Sequence, residues 1–416
     1  MKLILFCMNS EGSPYFASFK LAKQLVAADF KVIYVGFRFF ESMVLLQDLE
    51  HLSIDDDQFV AENGSFVATD KQLNQVFCDF MEKWLTVNKP DLVIIDNIRL
   101  LEFSIPFHKH KIPVVGFGSN LSTSYNLKYP PVTSHRVNNS SIRWIAAMEN
   151  FFEWVKLYAN DWTTHLSKRL KLIHYRKRYG WDFEWGEYGY KIKVPNIIAM
   201  IPDFNLPSVR TSETDCFIGV AVDKERMDKR PLPLRRAPGK KLVYCSLGTH
   251  KYVKEKYIAG FFNAVIKAVE EREHLQLILH IREEYQRLIP DTSANKNIAI
   301  LHWSPQLNVL SRSDLFITHG GLGSVRESLF LGVPMIVFPL AVDQPGNAAR
   351  VVYHHLGLKG NIYRADARSM GDMIDRVIDD PSYSNAVRRM QQRCAEQENV
   401  EKGVRFINKI LTDAIP

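Results

Sequence analysis

The sequence predicts an α/β protein of two βα domains, each built on a parallel sheet, with a ligand cleft between them. In both halves of the chain, short apolar runs typical of buried strands alternate with amphipathic helical segments. A charged, proline-rich segment without apolar periodicity, residues 223–240, separates the halves and is the predicted linker. The length of 416 residues also favours two domains.

The first half, residues 1–222, begins with a βαβ unit. Residues 3–8 form a short apolar run, residues 16–28 have helical periodicity, and residues 31–35 indicate a second strand. A further helix and two further strands are expected at residues 72–85, 90–96 and 112–118. Ligands of such open parallel sheets bind at the carboxyl ends of the strands, so polar residues there are candidates for a site.

A segment dense in aromatic and basic residues, about 125–190, interrupts the first domain. Residues 142–172 within it indicate one or two amphipathic helices. Such helices suit an insertion that packs aromatic stripes onto the domain. They also suit a hydrophobic acceptor pocket or a basic, membrane-facing helix, which predicts a peripheral membrane contact.

The second half, residues 241–416, restarts the alternation. Strands are expected at 242–247, 275–281, 298–302, 315–317 and 335–338. Helices are expected at residues 261–269 and after Pro345, Asp372 and Pro381. The last helix is expected to return to the N-terminal domain.

Composition indicates an ordinary globular protein, with 46% hydrophobic and 24% charged residues. The net charge of +7 is spread along the chain, which favours a slightly basic surface over a basic groove for a nucleotide diphosphate or an anionic membrane. No nucleic-acid-binding motif is recognised. The five cysteines are scattered, and no apolar run spans a bilayer, so we expect a cytoplasmic protein.

The segment that carries most chemistry follows the predicted strand at 315–317. It has three glycines, at positions 320, 321 and 323, which let the backbone approach a ligand closely. Ser324 is a candidate N-cap of the next helix, and Glu327 completes a capping-box pattern. A helix N-terminus behind a glycine turn binds anions, so we expect a phosphate cradle with His319 beside it.

Polar and aromatic residues surround this cradle in the sequence. Trp303 and Gln306 precede it, and Asp343 and Gln344 follow it. The spacing fits neither a Walker loop nor a dinucleotide fingerprint, which argues against an ATPase or a dehydrogenase. An aromatic plane, a phosphate cradle and an acid–amide pair, in that order, suit a base, a diphosphate and a sugar.

Four motifs in order carry a family resemblance: Ser246-Leu-Gly-Thr249, Trp303-x-Pro-Gln306, the segment His319–Glu327, and Asp343-Gln344. With them the C-terminal half resembles family 1 glycosyltransferases, and most of all bacterial macrolide and zeaxanthin glycosyltransferases. The resemblance implies the GT-B fold, with two Rossmann-like domains. It also implies inverting, metal-independent transfer of a hexose from a nucleotide-diphosphate sugar, with UDP favoured, to a lipophilic or aromatic small molecule.

The resemblance also implies roles for single residues. Trp303 would stack on the base, Gln306 would lie near the base or ribose, and Glu327 would accept hydrogen bonds from the ribose hydroxyls. The phosphates would be held by Thr249, His319, Gly321, Gly323 and Ser324. Asp343 and Gln344 would bind sugar hydroxyls. No cofactor and no metal are expected, since the sequence has no D-x-D motif or other ligand spacing.

The chain departs from the family at the histidine that usually acts as base. Pro14, or with a one-residue slip Ser13, stands at that position, and neither is a general base near neutral pH. Asp96, which ends a predicted strand, matches the acid that holds the histidine in relatives.

Three explanations stay open. The acceptor has an acidic nucleophile and needs no strong base, or another residue substitutes, or the protein binds a nucleotide sugar without efficient turnover. The substitutes that we consider are Asp96, Glu11 and three histidines, His108, His110 and His135. A third class of function, a nucleotide-sugar epimerase of the same fold, is disfavoured by the Trp303 and Gln306 pair.

Overall fold

Two parallel sheets, one from each half of the chain, form the framework of the protein. The structure, a computed structural model, describes residues 1–8, 12–59, 69–118, 131, 134, 145, 147–156, 159, 173, 175–186, 189–206, 214–226, 232, 234, 236–248, 253–292 and 294–413. No helix among these residues is long and apolar enough to cross a bilayer.

The N-terminal sheet has seven strands, all parallel, in the order β3-β2-β1-β4-β5-β8-β9. The strands are β1 Leu3–Cys7, β2 Lys31–Phe37, β3 Glu50–Ile54, β4 Leu92–Asp96, β5 Val114–Gly118, β8 Asn196–Ile198 and β9 Asp215–Phe217. Strands β6 Phe183–Gly186 and β7 Gly189–Ile192 form a separate antiparallel hairpin. The sheet begins with the βαβ unit that the sequence predicts.

Helices cover this sheet: α1 Gly12–Ala27, α2 Glu41–Leu45, α3 Asp70–Trp84 and α4 Leu100–Lys109. The start of α3 is fixed by a capping box in which Thr69 and Gln72 satisfy each other's backbone N–H groups. Helix α3 packs on α4, where the rings of Phe77 and Phe103 stack with centroids 3.7 Å apart. Because helices cover the sheet, its central strands are buried on both faces and are continuous apolar runs.

The C-terminal sheet has six parallel strands in the order β12-β11-β10-β13-β14-β15. They are β10 Lys241–Ser246, β11 Leu275–His280, β12 Ile298–Leu301, β13 Leu315–Thr318, β14 Met335–Val337 and β15 Gly357–Lys359. The helices are α5 Glu255–Glu270, α6 Gln306–Leu310, α7 Leu322–Leu331, α8 Gln344–Tyr353, α9 Ala367–Asp379, α10 Pro381–Glu396 and α11 Val400–Asp413.

The last helix, α11, lies on the N-terminal domain. Gly403 is so close to α1 that a Cβ atom there would lie 3.0 Å from the side chains of Leu21 and Ile218. Just before α11, Glu398 accepts a hydrogen bond from Lys20 of α1 across 2.6 Å. The chain therefore crosses between the domains a second time at its end.

The first crossing is made by the residues around β8 and β9, whose side chains reach the core of the C-terminal domain. The buried side chains in that core are Ile198, Met200, Ile201, Phe204, Val220 and Val222. From α7, Arg326 donates from Nε to the Val220 carbonyl oxygen over 2.8 Å, and burial lowers the pKa of Arg326 to about 10. The domain boundaries at residues 222 and 240 stay predictions.

The elements expected from the sequence are present, with shifted ends and some omissions. Helices α1 and α5 begin earlier than the apolar periodicity indicates, at Gly12 and Glu255. The short strands β3 and β15 were not predicted, whereas β8 and β9 lie where short extended runs are expected, at residues 197–222. In the aromatic segment, residues 147–156 are helical as expected, while most of residues 157–172 lie outside the described part of the chain.

Candidate active site

The glycine turn after β13 forms at the carboxyl edge of the C-terminal sheet. Gly320 has φ +82°, and a Cβ atom there would lie 2.4 Å from Cγ1 of Val337. A Cβ atom on Gly321 would lie 2.7 Å from Nε2 of His319. Gly320 is therefore required by its left-handed backbone and close packing, whereas a side chain at Gly321 would displace the His319 ring.

Helix α7 begins inside this turn, earlier than the sequence indicates. Its first residue is Leu322, and Gly321 is the N-cap, without a side-chain cap. The predicted capping box of Ser324 and Glu327 is wrong, because both residues already lie within the helix. The N–H groups of the first turn are consequently left for a ligand, and the positive end of the helix dipole lies with them.

Glu327, on the second turn of α7, is the centre of a polar network. Its carboxylate accepts a hydrogen bond from Nε2 of Gln306 over 2.6 Å and pairs with the guanidinium of Arg226. Tyr244 donates from Oη to Gln306 Oε1 over 3.4 Å and to Ser304 Oγ over 3.0 Å. The network brings two of the motif residues together, as the resemblance implies.

Ser324 lies beside this network. Nε2 of Gln306 also donates to Ser324 Oγ over 3.4 Å. Trp303, in the loop between β12 and α6, is 58% exposed. Its indole therefore leaves a large apolar surface open at the rim of the site, as a stacking platform requires.

Asp343 and Gln344 are built into the cradle. The Gln344 amide oxygen accepts hydrogen bonds from the backbone N–H groups of Leu340 and Ala341, over 2.8 and 3.1 Å. Asn347 donates to Asp343 Oδ2 over 2.8 Å and to the Gly320 carbonyl over 2.9 Å. Asn347 thus ties the acid to the glycine turn, a role that the sequence did not single out.

The turn after β10 packs against His319 from the other side. Gly248 has φ +72°, and a Cβ atom there would lie 2.7 Å from Cε1 of His319. Ser246 accepts a hydrogen bond from the Gly248 N–H over 3.3 Å and shares one with Nδ1 of His280 over 2.9 Å. Burial lowers the pKa of His280. Thr249 lies outside the described residues.

The start of α1 in the N-terminal domain meets the cradle. Ser13 is exposed, and its Oγ lies 3.0 Å from the position that a Cβ atom on Gly323 would take. Pro14, by contrast, is a buried residue of the first turn of α1. Of the two residues at the usual base position, only Ser13 is therefore presented to the donor side. Glu11 lies outside the described residues.

Asp96 ends β4 and is fully buried. Its Oδ1 accepts a hydrogen bond from the Ile98 backbone N–H over 2.8 Å. Burial raises the pKa of Tyr15, and the charges of Cys7 and Asp96 raise it further. Since β4 pairs in parallel with β1, whose end leads to α1, Asp96 lies near the first turn of α1, which carries Ser13.

Comparisons with known proteins bear on the fold and on the family of this chain. Residues 242–398 match the family described as UDP-glucoronosyl and UDP-glucosyl transferase. The solved glycotransferase of kitacinnamycin superposes with a TM-score of 0.70 at 19% identity, and 99% of each chain is covered. The chain has the GT-B fold.

Curated relatives match the chain over about half of its length. An uncharacterized UDP-glucosyltransferase YdhE of Bacillus subtilis is 27% identical over 52% of this chain and 53% of the relative. The zeaxanthin glucosyltransferase of Pantoea ananas is 28% identical over 44% of this chain and 42% of the relative. The chain thus spans about half the length of these relatives, and its resemblance to family 1 glycosyltransferases is confirmed.

Within the GT-B fold, the histidines considered as substitute bases lie on the wrong side. Helix α4 starts after β4 at the ligand edge and runs back, so His108 and His110 at its end lie at the opposite edge of the sheet. His108 Nδ1 there accepts a hydrogen bond from Trp181 Nε1 over 2.9 Å. These two candidates are wrong, and His135 lies outside the described residues.

One acidic cluster was not anticipated. Asp55, Asp56 and Asp57 have carboxylate oxygens within 4.8 Å of one another. Arg38 lies 3.7 Å from the Asp55 carboxylate and 3.3 Å from that of Asp57, and the Phe39 N–H donates to Asp56 over 2.8 Å. These contacts account for the cluster as loop structure.

Proposed function

We propose that the protein is an inverting glycosyltransferase. It would move a hexose from a nucleotide-diphosphate sugar, UDP-sugar in the first place, to a lipophilic or aromatic small molecule. One observation carries this proposal: the cradle, the Glu327–Gln306 pair and Asp343 converge at one sheet edge, where Ser13 of the other domain meets them. The resemblance to a zeaxanthin glucosyltransferase supports an acceptor of this kind.

The proposed reaction is a single displacement. An acceptor oxygen attacks the anomeric carbon, and the bond from that carbon to the diphosphate oxygen breaks, with its electron pair passing to the diphosphate. The N–H groups and dipole of α7 would stabilise this charge as it develops. Inversion follows because the nucleophile and the leaving group lie on opposite faces of the sugar.

The cradle supplies the charge stabilisation that a metal ion would otherwise give, so we propose that no metal is needed. The acceptor proton would pass to Asp96, directly or through water. A carboxylate held by a backbone N–H suits this role only for an acidic nucleophile such as a phenol.

The test is incubation with UDP-glucose and an array of phenols and lipophilic alcohols, with and without EDTA. We expect a glycoside whose anomeric configuration is opposite to that of the donor, formed equally fast with EDTA. Formation of no glycoside and no free glucose contradicts the proposal. Loss of activity in EDTA contradicts its metal independence, and retained configuration contradicts the displacement.

The second candidate is a homologue that binds nucleotide sugars without efficient turnover. It is favoured by the replacement of the usual histidine by Ser13 and Pro14. Binding of UDP without glycoside formation on any acceptor class would favour this candidate over the first.

A peripheral membrane contact is also proposed. Helical residues 147–156 carry an exposed apolar stripe at helical spacing, made of Met148, Phe151, Phe152 and Val155. Such a stripe suits the acyl boundary of a bilayer, from which a lipophilic acceptor would be drawn. Co-sedimentation with anionic vesicles, reduced by Phe151→Ser and Phe152→Ser together, is expected. Equal recovery of the unmodified protein and the double variant in the supernatant contradicts the membrane contact.

A further inference from the structure

Two helix faces meet where the domains join. Ser13 and Phe16 lie three residues apart on one face of α1, and Gly323 and Glu327 lie four apart on one face of α7. Ser13 faces Gly323 across the cleft. The other two residues, Phe16 and Glu327, are joined by a third side chain, that of Arg226.

Arg226 contacts both domains at this point. Its Cζ lies 4.2 Å from the centroid of the Phe16 ring, as in a cation–π contact. Its Nη2 donates to Oε1 of Glu327 in a short ion pair. The side chains of Arg226 and Glu327 are only 16% and 9% exposed.

The Arg226–Glu327 pair occupies atoms that a nucleotide would need. Gln306 takes one carboxylate oxygen of Glu327 and Arg226 takes the other. Because only 9% of the Glu327 side chain is exposed, ribose hydroxyls that bind this carboxylate would compete with Arg226 for it. Arg326 does not replace Arg226, because that guanidinium is committed to the Val220 carbonyl.

A guanidinium this deeply buried needs a new anionic partner when it leaves the carboxylate, because an unpaired buried charge is costly. The diphosphate of the donor supplies one. Glu327 lies about one helical turn from the first turn of α7, where the anion is expected, and an arginine side chain spans that length. Moreover, Nε of Arg226 is buried and donates to no acceptor in the described part of the chain, so the side chain has a donor to spare.

We propose that Arg226 is a diphosphate-binding residue that Glu327 holds in place while the site is empty. Nucleotide-sugar binding moves the guanidinium from Glu327 to the diphosphate and frees the carboxylate for the ribose. In the exchange the guanidinium keeps an anionic partner, while the carboxylate keeps the hydrogen bond from Gln306 and gains those of the ribose. The exchange makes diphosphate and ribose recognition depend on each other, so the site discriminates a nucleoside diphosphate from a nucleoside. This inference rests on the proposed function.

The test compares UDP with uridine by calorimetric titration of the full chain. Arg226→Met removes the charge and the donors but keeps an apolar stem over Phe16. We expect UDP to bind on the order of tenfold more weakly, since a charge-assisted hydrogen bond is lost. Uridine should bind about threefold more tightly or better, because Glu327 no longer has to leave Arg226.

The matched control is Lys224→Met, which removes a charge two residues away on the same short turn. The Lys224 side chain is exposed and lies over the Phe330 ring at 5.3 Å. Neither ligand should change affinity by more than about twofold. Arg226→Lys keeps the charge without the planar fork, so UDP should bind with intermediate affinity. If Arg226→Met does not fold, the lysine variant carries the test.

The outcomes separate this inference from the proposed function. Equal weakening of both ligands by Arg226→Met means that Arg226 only supports the fold of the site, and equal strengthening means that it only blocks the site. Either result overturns the inference and leaves the function standing. Absence of UDP and dTDP binding to the unmodified protein overturns both.

Discussion

The two parallel sheets of the molecule end in edges of different character. At the edge of the C-terminal sheet, Gln306 donates a hydrogen bond to Glu327 over 2.6 Å. Asn347 there joins Asp343 to the glycine turn by hydrogen bonds of 2.8 and 2.9 Å. At the edge of the N-terminal sheet, Asp96 is buried against its own loop, and Pro14 is packed into the core. The same architecture therefore carries a hydrogen-bonded polar network beside a glycine turn in one domain and only isolated polar groups in the other.

This difference shows what a parallel sheet supplies and what it does not. The sheet brings the carboxyl ends of its strands together, but chemistry arises only where the connecting turn carries glycines and polar side chains. Donor binding and proton transfer should accordingly respond to different substitutions. The following experiments test that separation, beginning with the largest expected effect.

Asp96→Asn should separate the two halves most sharply. If Asp96 receives the acceptor proton, kcat falls by about 100- to 10,000-fold while the affinity for UDP is unchanged. The amide still accepts the hydrogen bond from Ile98, so the loop is preserved. Steady-state kinetics and UDP titration measure the two effects.

The control for that variant is Asp91→Asn, an exposed carboxyl that precedes β4 at the opposite edge of the sheet. It should leave kcat within about twofold, since it lies far from the cleft. An unaltered kcat in Asp96→Asn would remove Asp96 from the mechanism and leave the acidity of the acceptor as the explanation.

Gly320→Ala should disrupt the organised edge. Its left-handed backbone and the contact with Val337 predict a loss of about 2–5 kcal/mol in the free energy of unfolding. Gly260→Ala in the middle of α5 is the control, because a Cβ atom there meets open space. That change should stabilise the protein by about 0.5–1 kcal/mol. If urea denaturation shows that both variants change the free energy of unfolding in the same direction, this explanation of the turn is contradicted.

Trp303→Ala should weaken UDP binding without changing the fold. Stacking on a base is worth about 1–3 kcal/mol, so the dissociation constant should rise about 5- to 150-fold. Tyr363→Ala, which removes a similarly exposed aromatic ring of the same domain, should have no such effect. If calorimetric titration finds that both variants bind UDP as tightly as the unmodified protein does, the base binds elsewhere.

Lys359→Met should give the smallest effect, at the end of β15. Burial lowers the pKa of Lys359 to about 8, below its ordinary value. The folded protein therefore holds a costly charge below pH 8 and sheds it as the pH rises, so the native lysine destabilises most at low pH. The variant should raise Tm by about 1 °C at pH 7, for about 1 kcal/mol after solvent screening, and by less at pH 10. An equal increase in Tm at both pH values contradicts the lowered pKa of Lys359.

The glycine-turn edge of the C-terminal sheet was predictable from the sequence because its residues are close together along the chain. His319, Gly321, Gly323 and Glu327 belong to one strand–turn–helix unit, so local patterns place them correctly. The helix start was misjudged, since Ser324 and Glu327 match a capping box equally well. The box is excluded because α7 already begins at Leu322, with Gly321 as its N-cap, so Ser324 lies inside the helix.

The residues that lie at the edge of the N-terminal sheet could not be predicted in the same way. Ser13 and Pro14 are adjacent, and only the direction in which α1 packs decides which of them faces Gly323. His108 resembled a candidate base until the direction of α4 placed it at the opposite edge of the sheet. Arg226 and Asn347 gave no sequence signal, because their roles come from contacts between distant segments.

The most direct test is a crystal structure of the protein with UDP. The diphosphate should lie on the N–H groups of the first turn of α7, around Gly323 and Ser324. The ribose should lie on Glu327 and the base against Trp303. A nucleotide bound anywhere else, or a diphosphate that does not touch α7, would contradict the assignment of the C-terminal edge as the donor site.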